Sequence, residues 1–244
     1  MLILHDPRCV GYSRLGHPER PERISKTVPV LQKRHPDWDW RQPQVATAEM
    51  LLRAHSPDHL ETIARAARDF DADSPAHPDI YDHAARASGA AVDVARAALR
   101  GDRAFSLMRP PGHHATRDQA MGFCYFSHIA VAALDVLENG GAERVAIWDF
   151  DAHHGNGTEA IVANHPRIDF ASIHQYPGYP GTGTRSFGNI HNYPVSPYTA
   201  RAQHMSAIQR ALEALLACKP DLLLVSAGFD AYEGDPITQM TLLP

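Results

Sequence analysis

The sequence predicts an α/β domain with an open, mostly parallel sheet that is flanked by helices. Short apolar runs alternate along the chain with longer amphipathic segments, which is the order expected of repeated strand–helix units. The apolar runs are nearly continuous in hydrophobic residues instead of alternating with polar ones. That pattern is typical of parallel strands buried on both faces.

The individual strands and helices follow from these two patterns. Five apolar runs have the length of buried strands: residues 2–4, 104–108, 144–150, 168–173 and 221–226. Six segments have helical spacing: residues 23–34, 57–70, 80–99, 127–137, 157–164 and 200–217. Pro29 is expected to kink or shorten the first helix, and Ser56, followed by proline and aspartate, marks the start of the second. Residues 175–199, rich in Gly, Pro and Tyr, predict a functional loop.

Composition is that of an ordinary soluble globular protein. The 244 residues are 44% hydrophobic and 21% charged, enough to form a single domain over residues 1–244. A formal net charge of −5 argues against nucleic-acid binding through bulk charge. Three cysteines without CxxC spacing predict no disulfide framework. The apolar start is too short for a signal peptide, and no run reaches the ~20 residues of a membrane span. We therefore expect a cytoplasmic protein without a membrane partner.

Polar residues cluster where the predicted strands end. Ligands of open parallel sheets bind beyond the carboxyl ends of the strands, so we expect these residues to converge on one site. They are His5, Asp6, residues 109–114, residues 149–154, His174 and Asp230.

Two of these strand ends have the composition of a metal site. Asp151 and His153 lie two residues apart, so an extended segment would point both to one side, and Asp230 ends another apolar run. Two carboxylates and an imidazole suit a zinc ion with an open coordination position. A dimanganese centre would need more carboxylates. Here the residue after His153 and His154 is Gly155, which supplies none. The alternative is a helix cap with a hydrogen-bonded histidine.

A histidine pair supplies candidate acid–base groups. His113 and His114 follow Pro-Pro-Gly, which fixes the backbone. One imidazole can take a proton from water while the other stabilises developing charge. Asp149 and Asn156 could orient them, although both histidines could also be simple caps. With the metal site, this set favours hydrolysis of an amide.

Six motifs occur in a familiar order over nearly the whole chain: residues 17–23 (HPERPER), 109–114 (RPPGHH), 122–125 (GFCY), 149–158 (DFDAHHGNGT), 180–183 (PGTG) and 226–230 (SAGFD). In these motifs the sequence resembles the zinc-dependent histone deacetylase and acetylpolyamine amidohydrolase family, of the arginase/deacetylase fold. Asn156, where other members have Asp, resembles the class II branch and many bacterial homologues.

The resemblance implies a role for each matched residue. Zinc would be bound by Asp151, His153 and Asp230. His114 would be the general base and acid, and His113 an electrostatic partner held by Asp149. These roles are implied by the family and not by the spacing.

The resemblance also implies a substrate channel and a second ion. Gly122, Phe123 and Tyr179 would line the channel for the acyl-bearing chain, and Asp73 would meet the substrate at its rim. Ordinary packing is the alternative for the two aromatic residues. A potassium ion, held mostly by main-chain carbonyls, would lie near Asp149, Asp151, His153, Ser172 and Ile173.

One family feature is absent from this sequence. The family has a catalytic tyrosine in a Gly-Gly-Tyr loop beyond the Asp230 strand, whereas here Gly140 and Gly141 are followed by Ala142 and no such motif occurs. Losing one oxyanion donor typically costs about 10²–10³ in rate. We therefore expect a C-terminally truncated form of the fold. Its last strand, residues 221–226, would be an exposed edge that favours a homo-oligomer.

These features predict a zinc-dependent deacylase that hydrolyses the amide of an acetylated or otherwise acylated amine. A peptide lysine, a polyamine and a small metabolite all present such an amide. The alternative is a catalytically weakened zinc-containing binding or scaffold module derived from the same fold.

Overall fold

Parallel strands form two sheets in the computed structural model, one in each of two units of the chain. The structure describes residues 1–139 and 141–243, and the units meet in sequence between Gly141 and Ala142. Every strand pair within the two sheets is parallel, and helices accompany the strands. The predicted α/β class with parallel strands is thus confirmed, with two sheets where the sequence led us to expect one. The single domain over residues 1–244 stays a prediction; Gly140 and Pro244 lie outside the described residues.

The first unit has a three-stranded sheet in the order β2-β1-β3. Its elements are β1 (Leu2–Leu4), a 3₁₀ turn (Pro7–Val10), α1 (Glu22–Ser25), α2 (Thr27–Arg34), β2 (Asp39–Arg41), α3 (Ala48–Ala54), α4 (Pro57–Ala64), α5 (Ile80–Leu99), β3 (Ala104–Ser106) and α6 (His128–Glu138). Ile3 and Leu4 of β1 pack against Ala87 and Ala90 of α5, which places the longest helix on this sheet.

The second unit has a four-stranded sheet in the order β6-β5-β4-β7. Its elements are β4 (Val145–Asp149), α7 (Asn156–Val162), β5 (Ile168–Gln175), β6 (Ile190–Val195), α8 (Arg201–Ala217) and β7 (Leu222–Ser226). All eight residues of β5 are buried, as the near-continuous apolar run predicts for a central parallel strand. Among the described residues, β7 pairs only with β4 and is the predicted edge, where Val225 is 43% exposed.

Most predicted elements agree with the structure to within two residues at each end, and α5 agrees at both ends. The first predicted helix is divided into α1 and α2. Pro29 is the third residue of α2, a position whose amide has no partner within a helix, so the proline is accommodated there. The prediction for residues 57–70 was too long, because α4 ends at Ala64.

Besides the 3₁₀ turn, two strands and one helix of the described residues were missed. Within residues 175–199, predicted as a loop, β6 pairs in parallel with β5. β6 carries polar residues and Pro194, which an edge strand tolerates because one side of it needs no donor. β2 is similarly short and polar. α3 begins at a recognisable signal, since the Thr47 hydroxyl accepts a hydrogen bond from the Met50 amide.

Within residues 1–139 and 141–243, none of the helices has both the length and the apolar character needed to cross a bilayer.

We expect the free energy of unfolding to fall as the pH drops below 6.5, in part because of His55. Its ring is fully buried, donates from Nδ1 to the Thr116 carbonyl (2.9 Å) and accepts at Nε2 from the Ser127 amide (2.9 Å). Burial, and to a lesser extent neighbouring His59, lowers the pKa of His55 to about 3. Between pH 6.5 and 3 only the unfolded chain takes up a proton on His55. The contribution of His55 to the free energy of unfolding is therefore present above pH 6.5 and is lost as the pH falls towards 3.

Urea unfolding at two pH values tests this expectation. His55 should account for a loss of about 2 kcal/mol between pH 7 and pH 5. His55→Gln should show a pH dependence that is shallower by this amount, and His35→Gln, a control at the end of α2, should keep the wild-type dependence. Equal pH dependence in the His55 variant and the wild type would contradict the assignment.

Candidate active site

The turn that follows β4 carries the first two candidate metal ligands. The Asp149 carboxylate accepts a hydrogen bond from the Asp151 amide (3.1 Å), and the Asp151 carboxylate accepts one from the His153 amide (2.8 Å). Aspartate side chains commonly stabilise turns in this way. The segment is therefore bent and not extended as the sequence led us to expect, yet it still brings Asp151 and His153 together.

The segment after β7 brings the third candidate ligand to the same turn. Asp230 accepts a hydrogen bond from the Ala152 amide (2.8 Å). His153 Nδ1 lies 3.1 Å from Asp151 Oδ1 and 2.7 Å from Asp230 Oδ2. One ligand atom from each of the three residues lies within 4.8 Å of the others. A Cβ at Gly228 would overlap the Asp151 carboxylate, so glycine permits this close approach.

The electrostatics of this cluster fit a bound cation. Burial disfavours a charged His153, but hydrogen bonds to the Asp151 and Asp230 carboxylates outweigh it and raise the pKa of His153 to about 10. Burial, together with the charge of Asp151, raises the pKa of Asp230. Two half-buried carboxylates that draw in a proton need positive charge, and a divalent ion would supply it in the proton's place. The three residues therefore fit a metal ion.

The other residues predicted on this unit lie around the cluster. Asn156 is the first residue of α7. Ser172 pairs in register with Asp149, and its hydroxyl hydrogen-bonds His174 Nδ1 (2.9 Å). Ile173 is buried in the core under α8. The ring of Tyr179, 38% exposed, lies edge-on to that of His153 at 6.3 Å between centroids.

A partly buried polar network beside the cluster was missed by sequence reasoning. His154 contacts the Thr182 hydroxyl through Nδ1 (2.8 Å) and the Glu159 carboxylate through Nε2 (2.9 Å). His174 donates from Nε2 to the Gly183 carbonyl (3.1 Å). A Cβ at Gly183, whose φ is +76°, would lie 2.5 Å from the His154 ring. The network ties the loop that carries Tyr179 to the strand end, and the PGTG motif was its signal in the sequence.

The first unit positions the histidine pair. His113 and His114 are 8% and 4% exposed, and their ring centroids lie 3.9 Å apart. Gly122, with φ +55°, lies against His114, where a Cβ would come within 2.5 Å of the ring. The backbone of this glycine therefore fixes one side of the His114 ring.

A buried arginine anchors the start of the histidine loop. Arg109 is fully buried, and two of its guanidinium nitrogens donate to the Glu19 carboxylate at 2.7 Å each. A third donates to the carbonyls of Cys9 (2.9 Å) and Tyr12 (3.2 Å). Bidentate pairs of this kind fix both position and orientation. Glu19 and Arg109 belong to two of the sequence motifs, residues 17–23 and 109–114, but the motifs do not reveal that they are partners.

The predicted rim residues lie near each other in the same unit. Phe123 donates its amide to the Ser74 hydroxyl (3.1 Å), and its ring lies edge-on to His17 at 5.0 Å. His17 donates from Nε2 to the main-chain carbonyl of Asp73 (3.1 Å). The backbone of the exposed Asp73 is thus linked to the Phe123 ring through His17, which contacts both.

Comparison with known proteins agrees with this architecture. The family model described as "Histone deacetylase domain" matches residues 17–244. The chain belongs to the histone deacetylase family. Members are generally metal-dependent, and Asp151, His153 and Asp230 form a group that could hold an ion.

Named relatives place the chain among hydrolases. It is 35% identical to a "Probable deacetylase" of Archaeoglobus fulgidus over 99% of this chain and 72% of the relative. It is 39% identical to a "Histone deacetylase-like amidohydrolase" of Pseudomonas aeruginosa over 93% of this chain, and that match spans 64% of the relative's length. The crystal structure of the "HDA15 HD domain" superposes with a TM-score of 0.91 at 31% identity, covering 98% of this chain and 75% of that one.

Replacing Asp151, His153 or Asp230 by Ala should each remove one tightly bound zinc ion per chain, because each change deletes one of the ligand atoms that lie within 4.8 Å of one another. Zinc content after dialysis, measured by elemental analysis, checks this. Glu213→Gln, which alters an exposed carboxylate of α8, is the control and should keep the wild-type content. Wild-type zinc content in all three alanine variants would refute the site.

Proposed function

We propose that this chain is a zinc-dependent deacylase that hydrolyses the amide of an acetylated, or otherwise acylated, amine. The observation that carries the proposal is the convergence of Asp151, His153 and Asp230, with ligand atoms within 4.8 Å of one another, in a chain of the histone deacetylase family.

Zinc suits this donor set better than a hard ion such as magnesium, because imidazole is among its preferred ligands and three protein ligands leave a position open. When bound, zinc supplies Lewis acidity at the acyl carbonyl and at the attacking water. We also propose the potassium ion near Asp149, Asp151, His153, Ser172 and Ile173, which the register pairing of Asp149 with Ser172 supports.

In this proposal His114 accepts a proton from the attacking water at the lone pair of one ring nitrogen and returns it to the departing amine. His113 stabilises the charge that develops on the acyl oxygen. Asp149 orients His113, and Asn156 orients His114. Burial of both imidazoles, at 8% and 4% exposure, supports these roles because it restricts bulk water and strengthens electrostatic interactions.

Gly122, Phe123 and Tyr179 are proposed to line the channel for the acyl-bearing chain, and Asp73 to meet the substrate at the rim. The proximity of the Tyr179 and His153 rings supports a substrate path beside the metal ligands. The substrate is proposed to be a peptide lysine, a polyamine or a small metabolite, and not a nucleic acid or a membrane. The cytoplasmic location and the homo-oligomer stay predictions.

Hydrolysis of an acetyl-lysine reporter and of its activated trifluoroacetyl analogue tests the proposal. We expect turnover that disappears with a chelator and returns when zinc is added back. A chain that holds its full zinc complement but turns over neither reporter would overturn the deacylase. If that zinc-loaded chain still bound the acylated amine, the result would favour the alternative hypothesis of a binding or scaffold module.

His114→Ala should abolish reporter turnover while zinc content stays at the wild-type level, because the imidazole serves proton transfer and not metal binding. His35→Ala is the control, since this histidine lies at the end of α2, and it should retain activity. A His114 variant that loses its zinc, or that keeps wild-type turnover, would contradict the assigned role.

Asn156→Asp should move the acid limb of the pH–rate profile to higher pH. A carboxylate beside an imidazole raises its pKa more than an amide does, so His114 would become protonated, and inactive as a base, at a higher pH. An unmoved profile would show that Asn156 does not orient His114.

A further inference from the structure

A second group of metal-ligating side chains lies at the other end of the second unit's sheet. One ligand atom each from Asp169, His191 and Cys218 lies within 4.8 Å of the others. Asp169 is near the start of β5, His191 is in β6, and Cys218 directly follows α8. None of these residues takes part in the proposed deacylase chemistry.

Strand register explains why the three side chains meet. His191 pairs with Ala171, and side chains two positions apart in a strand share a face, so Asp169 lies on the same face as both. Helix α8 covers this face, because its residues Ala207 and Ala211 pack in one core cluster with Ala171. The end of α8 then places Cys218 over the two strands.

One polar atom of this group is not satisfied by the protein itself. His191 Nε2 is buried, has no hydrogen-bond partner among the described residues, and lies 3.9 Å from Asp169 Oδ1. Buried polar atoms without partners are uncommon and call for an ion, a water or a strained interaction. The Arg144 guanidinium occupies Asp169 Oδ2 at 3.0 Å, which leaves Oδ1 for another ligand.

An open surface depression of about 260 Å³ is lined in part by Asp169, Arg144 and His165. That volume is far more than one water molecule requires. Solvent can therefore lie beside Asp169, which is one of the three candidate ligands.

From this geometry we infer that Asp169, His191 and Cys218 form a second metal site, for a zinc-class transition ion. A thiolate and an imidazole together select zinc and related borderline ions over magnesium or calcium, and the carboxylate completes a set that zinc accepts. The ion joins the end of α8 to β5 and β6, so its role is structural.

This site is separate from the Asp151–His153–Asp230 cluster. Asp169 pairs with Ala146, three positions before β4 ends at Asp149, which is roughly 10 Å along the strand. The first cluster lies beyond that carboxyl end, whereas Asp169 lies near the amino end of β5. The two sites can therefore be emptied independently.

Metal binding here exchanges a proton for the ion. Binding a divalent ion converts the thiol to a thiolate ligand and releases its proton to solvent, so affinity should increase with pH.

Cobalt provides a direct test, because Co²⁺ bound to a thiolate gives a sulfur-to-metal charge-transfer band in the near ultraviolet. The Asp151–His153–Asp230 cluster has no sulfur ligand. Titration of the metal-free chain with Co²⁺ should produce the band in the wild type and equally in Asp151→Asn. Cys218→Ala should lose it, and Cys9→Ala, which removes one of the two buried thiols of the first unit, should retain it.

His191→Gln keeps the thiol and provides a second measurement. It should weaken Co²⁺ binding by more than about tenfold, since losing even an outer-sphere partner of a ligand costs about that much. Absence of the band in the wild type, its persistence in Cys218→Ala, or unchanged Co²⁺ affinity in His191→Gln would overturn the second site. Loss of the band in Cys218→Ala with its retention in Asp151→Asn would establish it as distinct from the first.

Discussion

Two carboxylates held close together at the ends of neighbouring strands are the constraint around which the second unit is built. Parallel pairing of β4 with β7 places Asp149 opposite Ser226, so the segments that leave both strands start side by side. Asp151 and Asp230 then meet on either side of His153. Bringing like charges together in a buried place costs free energy unless a cation is present. The arrangement therefore favours binding of a cation at the position where a metal would act.

Loops carry most of the candidate site residues. A buried ion pair in the first unit and a half-buried hydrogen-bonded pair in the second hold those loops in place. Arg109 and Glu19 fix the backbone ahead of the histidine pair. His154 and Glu159 do the same for the loop that bears Tyr179. Removing one partner of a buried ion pair is costly, because it leaves the other charge uncompensated. These residues should therefore be as sensitive to mutation as the residues that touch substrate.

The two ends of the four-stranded sheet carry different chemistry. The carboxyl ends of β4 and β7 lead to an oxygen-rich cluster with one imidazole, whereas β5 and β6 present Asp169 and His191 near their amino ends, under Cys218. Helix α8 contributes to the second group only because its small residues pack closely on β5. A thiol ligand is what distinguishes the second group chemically, since it favours softer ions.

The sequence by itself determined the α/β class, the bounds of α5 and the central strands, because continuous apolar runs are local signals. It also predicted that Asp151, His153 and Asp230 meet, which the structure shows, and their role as metal ligands stays a prediction. It did not reveal β2 or β6, since edge strands need no apolar face on both sides and tolerate polar residues and proline. Apart from Asp230, it did not reveal these partners that lie far apart in the chain. Arg109 and Glu19 are separated by 90 positions, and Asp169, His191 and Cys218 come from two strands and a helix end. Only the tertiary structure decided these contacts, because they depend on strand register and helix packing, and no local pattern encodes either.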